Sequence, residues 1–207
     1  MQKKAVKNPP HQRPSPAHQV RIIGGLWKRT PLPVLDAEGL RPTPDRVRET
    51  VFNWINHLID GSWSGLNCLD LFAGSGALGF EAASRGAAAV TMVDAHTPAI
   101  RQLEAIKAKL DAGTVSLVRG DALGTAQGLA ARGQRFGLIL LDPPYQTEWL
   151  QRILPVCAPL LSEGGLVYAE WDKALTDETA PGWLAEWEIV REGKAGMVFF
   201  HLLQRRP

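Results

Sequence analysis

The sequence has no long apolar run. Hydrophobic residues make up 45% of its 207 residues, but no stretch of them approaches the roughly 20 residues of a transmembrane helix. The N-terminal segment is polar and proline-rich, so it lacks the apolar core of a signal peptide. These absences argue against a membrane association and against secretion, and we expect a cytoplasmic protein.

Cysteine is scarce, and no metal-binding pattern is present. Cys68 lies in an apolar strand pattern and Cys157 in a helical one, which favours two buried thiols, although a bridge between them stays open. The histidines show no metal-ligand spacing with each other or with a cysteine, so we predict no metal site. They are His11, His18, His57, His96 and His201.

The small net charge of +2 conceals an uneven distribution. Residues 1–50 hold ten Lys and Arg against four Asp and Glu, a net charge of +6, so this end is expected to face a polyanion. Residues 1–19 contain too little apolar surface to fold alone, and we predict a disordered basic arm. Contact with nucleic acid and a merely solubilising role both remain open for it.

Residues 20–42 are predicted to form an N-terminal extension. Val20–Ile23, Gly24-Gly25 and Leu26–Arg29 suggest a short hairpin or extended pair, which residues 32–34 continue. Arg21, Lys28 and Arg29 would then surround Trp27. An aromatic ring in a basic surface suits RNA, but the tryptophan could equally fix the hairpin to the domain, and that role is slightly favoured.

A helix is predicted to follow the extension. Thr43 as N-cap, Pro44 at the first helical position and Asp45 in the first turn form a strong start signal. Arg46 and Asn53 lie off the apolar stripe, where they could reach a substrate phosphate or simply form the solvated side. The predicted buried face consists of Val47, Val51, Ile55 and Leu58.

From Leu66 onward strands and helices alternate, which predicts a doubly wound α/β sheet with an antiparallel edge. No internal repeat is present, and one domain accounts for the length. The predicted strands are Cys68–Leu71, Ala88–Asp94, Val115–Val118, a run ending at Asp142, Gly165–Ala169, Trp187–Arg191 and Met197–Leu203; the helices are Ala77–Arg85, Pro98–Leu110, Leu123–Ala131 and Trp149–Leu161.

A glycine pattern, Gly74-x-Gly76-x-x-Gly79, lies between the first of these strands and its helix. Missing Cβ atoms let the backbone approach a nucleotide-type cofactor in this context. Asp70 lies on the strand before the loop, and Asp94 ends the next strand, where a carboxylate can accept a ribose diol. A nicotinamide-dependent dehydrogenase would share these features.

The segment Asp142-Pro143-Pro144-Tyr145 follows the apolar run of residues 138–141. Its carboxylate and the Pro143 carbonyl can accept the N–H bonds of an exocyclic amino group, and the Tyr145 ring can stack on a nucleobase. Alone, the segment could be a turn that ends a strand. Together with the glycine loop it indicates a site for a nucleobase amino group, and hydride transfer offers no use for it.

These motifs resemble the class I S-adenosylmethionine-dependent methyltransferases. Residues 21–25, 39–50 and 194–196 are similar to the bacterial small-subunit rRNA guanine-N2 methyltransferase family, from about Val20 to Arg205. The resemblance implies a Rossmann-like, seven-stranded sheet whose last strand is antiparallel, with residues 43–207 as the methyltransferase domain. It implies a guanine of 16S rRNA, in an assembled or partly assembled 30S subunit, as substrate, and we expect a monomer without a metal.

The resemblance also implies roles for single residues. Asp70 would order the glycine loop or meet the cofactor's ammonium, and Asp94 would accept the ribose hydroxyls, although the family usually carries glutamate there. Asp121 would accept the adenine amino group beside the Ala122 N–H, unless it is only a helix N-cap. The complete predicted set is Asp70, Gly74, Ser75, Gly76, Asp94, Asp121 and Ala122 for S-adenosylmethionine, Asp142, Pro143 and Tyr145 for catalysis, and Arg21, Trp27, Lys28, Arg29, Arg41 and Arg46 for rRNA.

Two other functions share parts of this pattern. A DNA adenine-N6 methyltransferase carries the same Asp-Pro-Pro-Tyr segment but normally needs an added target-recognition region, for which 207 residues leave little room. A non-catalytic RNA-binding protein could keep the fold, but it would not need the intact glycines and carboxylates of the site.

Overall fold

The computed structural model describes residues 19–34, 43–144, 148–176, 178–180 and 182–206. The predicted arm up to residue 18, and the predicted site residues Arg41 and Tyr145, lie outside these ranges. Gln19 was assigned to the arm, but it begins the first strand. The elements are β1 Gln19–Arg21, β2 Pro31–Pro33, α1 Asp45–Leu58, β3 Asn67–Asp70, α2 Ala77–Ser84, β4 Ala89–Asp94, α3 Thr97–Leu110, β5 Val115–Arg119, α4 Ala122–Ala131, β6 Phe136–Leu141, α5 Trp149–Cys157, β7 Leu161–Trp171, β8 Trp187–Ala195 and β9 Val198–Arg205.

Seven strands form one sheet in the order β5-β4-β3-β6-β7-β9-β8. The first five in this order are parallel, whereas β9 runs antiparallel to both of its neighbours. The predicted fold class is therefore confirmed. The antiparallel strand is the last in the chain, as the resemblance implies, but it lies one place inside the edge of the sheet.

The chain changes direction across the sheet at β3, since β4 lies on one side of it and β6 on the other. Such a switch point opens a crevice at the carboxyl ends of the two central strands, where open α/β sheets bind their ligands. Asp70 ends β3 and Asp142 directly follows β6. The topology thus brings the two predicted motifs to the same edge.

Both faces of the sheet are covered. Along β6, Leu138 and Leu140 join the buried cluster under α1, α2 and α3, while Ile139 and Leu141 join the cluster under α4 and α5. Successive strand side chains point to opposite faces, so a continuous apolar strand requires helices on both sides. This double burial explains why the strands of the sheet could be recognised as apolar runs.

The extension differs from its prediction. Its strands are β1 and β2, paired antiparallel, whereas residues 26–29 form turns. A positive φ at Gly25 (76°) and at Arg29 (71°) turns the chain there. A Cβ on Gly25 would lie 1.9 Å from the Ser84 carbonyl oxygen, so this turn is packed tightly on the end of α2.

Further element boundaries also differ from their predictions. The helix α5 ends at Cys157, a 3₁₀ turn follows, and Leu161 already begins β7. The hairpin strands β8 and β9 are longer than predicted, so only Gly196 and Met197 connect them. Backbone pairing with β9 extends β8 through glycine- and charge-containing positions that a hydrophobic pattern cannot identify.

Both cysteines are buried free thiols. Among the described residues, none of the helices has the length and apolar character that crossing a bilayer requires. Over the same ranges, no group of three or more His, Cys, Asp or Glu side chains is arranged to hold a metal ion.

Candidate active site

The glycine loop connects β3 to α2 and uses its glycines in different ways. Gly76 has φ +82°, and a Cβ there would lie 2.6 Å from both Phe80 and Leu103, so this glycine serves packing. Gly74 has φ +50°, but among the described residues its Cβ would find only one atom within 4 Å, at 3.9 Å. The space beside Gly74 is therefore open to a ligand. Ser75 lies between them and is half-buried.

Asp70, at the end of β3, fixes the conformation of this loop. Its carboxylate oxygens accept hydrogen bonds from the Phe72 N–H (3.3 Å) and the Gly79 N–H (3.0 Å). Burial raises the pKa of Asp70 to about 7 against the lowering effect of these bonds, and the charge of Asp94 raises it further. The structure thus places Asp70 as the residue that orders the loop, the first of its two predicted roles.

Asp94 ends β4 and fixes the other side of the loop. Its Oδ2 accepts from the Gly74 N–H at 2.8 Å, and its Oδ1 accepts from the His96 N–H at 2.7 Å. Each carboxylate oxygen can accept a second bond. The side chain is half-buried, so its remaining acceptor positions can face a ribose diol beside the open side of Gly74.

Asp121 follows β5 and lies near Asp94. The N–H of the preceding residue, Gly120, donates to the Asp94 carbonyl at 3.1 Å. Its carboxylate caps α4 by accepting from the Gly124 N–H at 2.7 Å. The N-cap role is thus observed. Ala122 is the first residue of α4, so its N–H belongs to the initial amides that have no acceptor within the helix.

Asp142 lies directly after β6, half-buried, and is followed by the buried Pro143. Its Oδ2 accepts a hydrogen bond from the Thr43 hydroxyl at 3.0 Å. Burial and then the charge of Glu170 raise the pKa of Asp142 well above its usual value, while the bond from Thr43 acts in the opposite direction. The site therefore contains a carboxylate pair that a hydroxyl connects.

Thr43 was predicted to cap α1, and that prediction is wrong. Pro44 occupies the N-cap position, and no side chain caps the helix. The Thr43 hydroxyl instead lies 2.6 Å from Glu170 Oε1 and 3.0 Å from Asp142 Oδ2. Hydrogen bonds to carboxylates are stronger than those to neutral partners, which explains why the hydroxyl turns to the site rather than to the helix backbone.

Glu170 and Tyr168 are site residues that the sequence interpretation missed. Both are buried on β7, and the Tyr168 hydroxyl donates to Glu170 Oε1. One signal was available: Glu170 directly follows a predicted apolar strand, and carboxyl ends of parallel strands share an edge. Glu170 therefore lies at the same edge as Asp142, on the neighbouring strand.

Arg48 on α1 is a fully buried cation that the hydrophobic pattern had not indicated. It donates to the carbonyl oxygens of Thr43 (3.3 Å) and Arg21 (2.8 Å) and to Asp45 (2.6 Å). Burial lowers the pKa of its guanidinium, although the charge of Asp45 opposes this shift. Its bonds join β1 to the start of α1.

The predicted rRNA residues occupy two places. The Arg21 side chain pairs with Asp45 (2.9 Å) at the start of α1, where Arg46 is also exposed. Lys28 and Arg29 are exposed on the turn that docks on the end of α2, held there by the bond of Leu26 N–H to the Ser84 carbonyl. Trp27 beside them is half-buried against the core, as its structural role requires.

Comparisons with known proteins show what the whole chain is similar to. Residues 20–204 match the family model described as Conserved hypothetical protein 95. The chain is 39% identical to ribosomal RNA small subunit methyltransferase D of Escherichia coli strain K12, over 97% of this chain and 96% of the relative. It is 36% identical to the Haemophilus influenzae protein of the same name, over 93% and 97% of the two chains.

A solved structure from Escherichia coli, described as putative methyltransferase yhhF, covers 90% of this chain with 98% of its own length. Its TM-score is 0.75 at 38% sequence identity. Sequence and fold agree over nearly the whole chain. The protein therefore belongs to a family of small-subunit ribosomal RNA methyltransferases.

Proposed function

We propose that this protein transfers the methyl group of S-adenosylmethionine to the exocyclic N2 of a guanine in 16S rRNA, within an assembled or partly assembled 30S subunit. The observation that carries the proposal is the position of Asp142-Pro143 at the carboxyl end of β6, beside the glycine loop of β3. The names of the relatives support rRNA of the small subunit as the substrate. Those names specify neither the base nor the atom, so the guanine and its N2 belong to the proposal alone.

The residues around the glycine loop suit the cofactor. The open space beside Gly74 can admit the methionine portion next to Ser75, and Asp94 has acceptor capacity for the ribose hydroxyls. Asp121 and the Ala122 N–H offer an acceptor and a donor to the adenine edge. The bound cofactor supplies an electrophilic methyl group on a sulfonium centre.

The residues of β6 act on the base. A guanine amino group is a weak nucleophile because its lone pair is delocalised into the ring. Hydrogen bonds from N2 to the Asp142 carboxylate and to the Pro143 carbonyl would favour a tetrahedral nitrogen and stabilise the positive charge that develops on it. Because these acceptors are fixed by the sheet and by Thr43, positioning is expected to supply most of the rate acceleration.

The target base must leave its stack to reach this edge. Tyr145, next in sequence to Pro144, is the proposed stacking platform. Arg21 and Arg46 near the start of α1, together with Arg41, which precedes this helix in the sequence, are proposed to contact rRNA phosphates close to the target. Lys28 and Arg29 would contact phosphates further away. Phosphate contacts of this kind fix the register of the protein on its substrate without reading the bases.

Substitution of Asp142 tests the proposal. Asp142→Ala should keep the fold and the affinity for S-adenosylmethionine, while methyl transfer to 30S subunits falls by roughly 10²–10³-fold because one preorganised acceptor is lost. Asp142→Asn keeps one acceptor oxygen but loses the charge, so an intermediate rate is expected. Glu163→Ala is the matched control, since Glu163 is exposed near the start of β7, at the opposite edge of the sheet.

The assay should offer 30S subunits, deproteinised 16S rRNA and duplex DNA side by side, with the methylated nucleotide identified by mass spectrometry. N2-methylguanine in 16S rRNA is the expected product. N6-methyladenine in the DNA arm would replace the proposal with the alternative of an adenine-N6 enzyme. Wild-type turnover of Asp142→Ala on 30S subunits would refute the proposed role of the carboxylate.

A further inference from the structure

One hydroxyl group lies between two carboxylates at the catalytic edge. The Thr43 oxygen is 3.0 Å from Asp142 Oδ2 and 2.6 Å from Glu170 Oε1. A threonine hydroxyl has a single hydrogen, so it can donate to only one of them. The other short contact needs a hydrogen from the carboxyl group itself.

Ionisation of both carboxylates would be costly in this place. Thr43 and Glu170 are buried, at 3% and 1% exposure, so little solvent reaches the contact. Two ionised carboxylates around one hydroxyl would bring two acceptor oxygens together without a hydrogen between them. One additional proton removes the repulsion and completes both hydrogen bonds.

A further carboxylate among the described residues acts on the pair. The charge of Asp70 from β3 raises the pKa of Asp142 further, after the effects of burial and of Glu170. The strand β9 places the apolar Phe200 opposite Glu170. Among the described residues, Asp70 on β3 acts on Asp142, and the Tyr168 hydroxyl on β7 donates to Glu170 Oε1. The charge of Arg48 on α1 acts on Tyr168.

We propose that Glu170 is a positioning residue that holds this proton during methyl transfer: neutral Glu170 donates to the Thr43 oxygen, and the Thr43 hydroxyl donates to ionised Asp142. The proton resides on Glu170 because this carboxyl is the more deeply buried of the two, and burial disfavours the charged form. Asp142 then keeps its remaining acceptor positions for the amino group. The inference rests on the proposed function of Asp142.

The proton balance of the reaction follows from this arrangement. The lone pair of N2 forms a bond to the methyl carbon, while the carbon–sulfur bond breaks and its electron pair stays on sulfur. The N2–H bond then breaks, its electron pair returns to nitrogen, and the proton passes to ionised Asp142. Asp142 is half-buried, so it can release this proton to solvent once the product has left. Glu170 remains neutral throughout.

The pH dependence of single-turnover methylation tests the inference. The active form has one proton on the pair, so the rate should fall at low pH, when Asp142 is protonated, and at high pH, when the pair loses its last proton. Glu170→Gln cannot lose a proton, and its amide nitrogen has two hydrogens for the Thr43 and Tyr168 oxygens. We expect this variant to lose no more than about fivefold in rate and to lack the alkaline limb.

Thr43 variants test the connection between the two carboxyl groups. Thr43→Val has a similar shape without the hydroxyl, and its rate should fall about 10- to 100-fold, as the loss of a hydrogen bond to a charged group implies. Thr43→Ser should restore the rate to within about threefold. Thr50→Val is the matched control, because the Thr50 hydroxyl bonds, among the described residues, to the Arg46 carbonyl on the helix surface. Cofactor affinity should be the same in all four proteins.

Infrared spectra offer a measurement that does not depend on turnover. A neutral carboxylic acid has a C=O stretch that a carboxylate lacks, and one such band of the wild type at neutral pH should be missing in Glu170→Gln. The band of Asp70, whose pKa is about 7, should be present in both proteins. An alkaline limb that stays at its wild-type position in Glu170→Gln, or a spectrum of this variant with the same carboxylic acid bands as the wild type, would overturn the inference. Such a result together with an inactive Asp142→Ala would leave the proposed function intact, whereas an active Asp142→Ala would refute the proposed function itself.

Discussion

Two glycines of the β3–α2 loop should respond differently to the same substitution. Gly76→Ala places a methyl group 2.6 Å from Phe80 and Leu103 at a φ of +82°. The left-handed backbone costs about 1–2 kcal/mol for a non-glycine residue, and overpacking of a tight core adds about 1–3 kcal/mol. We expect a loss of about 2–5 kcal/mol in the free energy of unfolding.

Gly74→Ala should incur the cost of the left-handed backbone without any cost of overpacking. Its new Cβ would make one ordinary contact, at 3.9 Å, so a loss of only about 1–2 kcal/mol is expected. The methyl group would, however, occupy the space that the proposed cofactor uses. The dissociation constant for S-adenosylmethionine should rise at least tenfold, about 1.4 kcal/mol. This variant should therefore fold, but it should bind S-adenosylmethionine weakly.

Gly133→Ala is the matched control for strain. Gly133 has φ +70°, and nothing lies within 4 Å of its Cβ position. It precedes β6 and thus lies at the opposite edge of the sheet from the proposed cofactor site. Its substitution should cost the same as Gly74→Ala in stability and leave cofactor affinity unchanged.

Urea unfolding and calorimetric titration with S-adenosylmethionine measure the two quantities separately. Wild-type affinity in Gly74→Ala would mean that the loop does not approach the cofactor at this point. A Gly76→Ala protein no less stable than Gly133→Ala would mean that Phe80 and Leu103 move aside at little cost.

Two further predictions concern charge. If Lys28 and Arg29 contact rRNA phosphates, changing both to glutamine should reduce the salt dependence of 30S binding by about 1–2 units of slope. The same change at the exposed Arg132 and Arg135, between α4 and β6, should have no effect, and an equal slope in both double variants would contradict the contact. Burial lowers the pKa of His201 to about 4, so the unfolded chain, with a histidine pKa near 6.5, binds more protons between these values. His201 should therefore destabilise the fold by up to about 3 kcal/mol as pH falls from 6.5 to 4, and urea unfolding should show a flatter pH dependence in His201→Gln than in the wild type.

The sequence predicted the sheet well because its strands are buried on both faces. The apolar runs before Asp70, Asp94 and Asp142 stand out from their surroundings, and the topology then brings their carboxyl ends to one edge. The glycine pattern correctly located the loop, but it could not separate the open Gly74 from the packed Gly76. That difference depends on α3, whose Leu103 is distant in sequence.

Local rules failed where a tertiary partner outcompeted a local one. Threonine before a proline and an acidic first turn is a good N-cap signal, yet the Thr43 hydroxyl binds carboxylates from β6 and β7 instead. The second strand of the extension was misplaced for a similar reason. Residues 26–29 have strand-forming side chains, but the docking of Gly25 and Leu26 on Ser84 turns the chain.

The start of α1 connects the extension to the catalytic strand. Arg48 binds the carbonyl oxygens of Arg21 and Thr43, Asp45 pairs with the Arg21 side chain, and the Thr43 hydroxyl reaches Asp142. A buried cation with several acceptors is costly to displace, so these contacts hold β1 and the Asp142 carboxylate in a fixed relation. In-line methyl transfer tolerates little misplacement of the target nitrogen. A phosphate contact made beside Asp45 would therefore position the rRNA against the catalytic carboxylate through a rigid helix start rather than through a flexible loop.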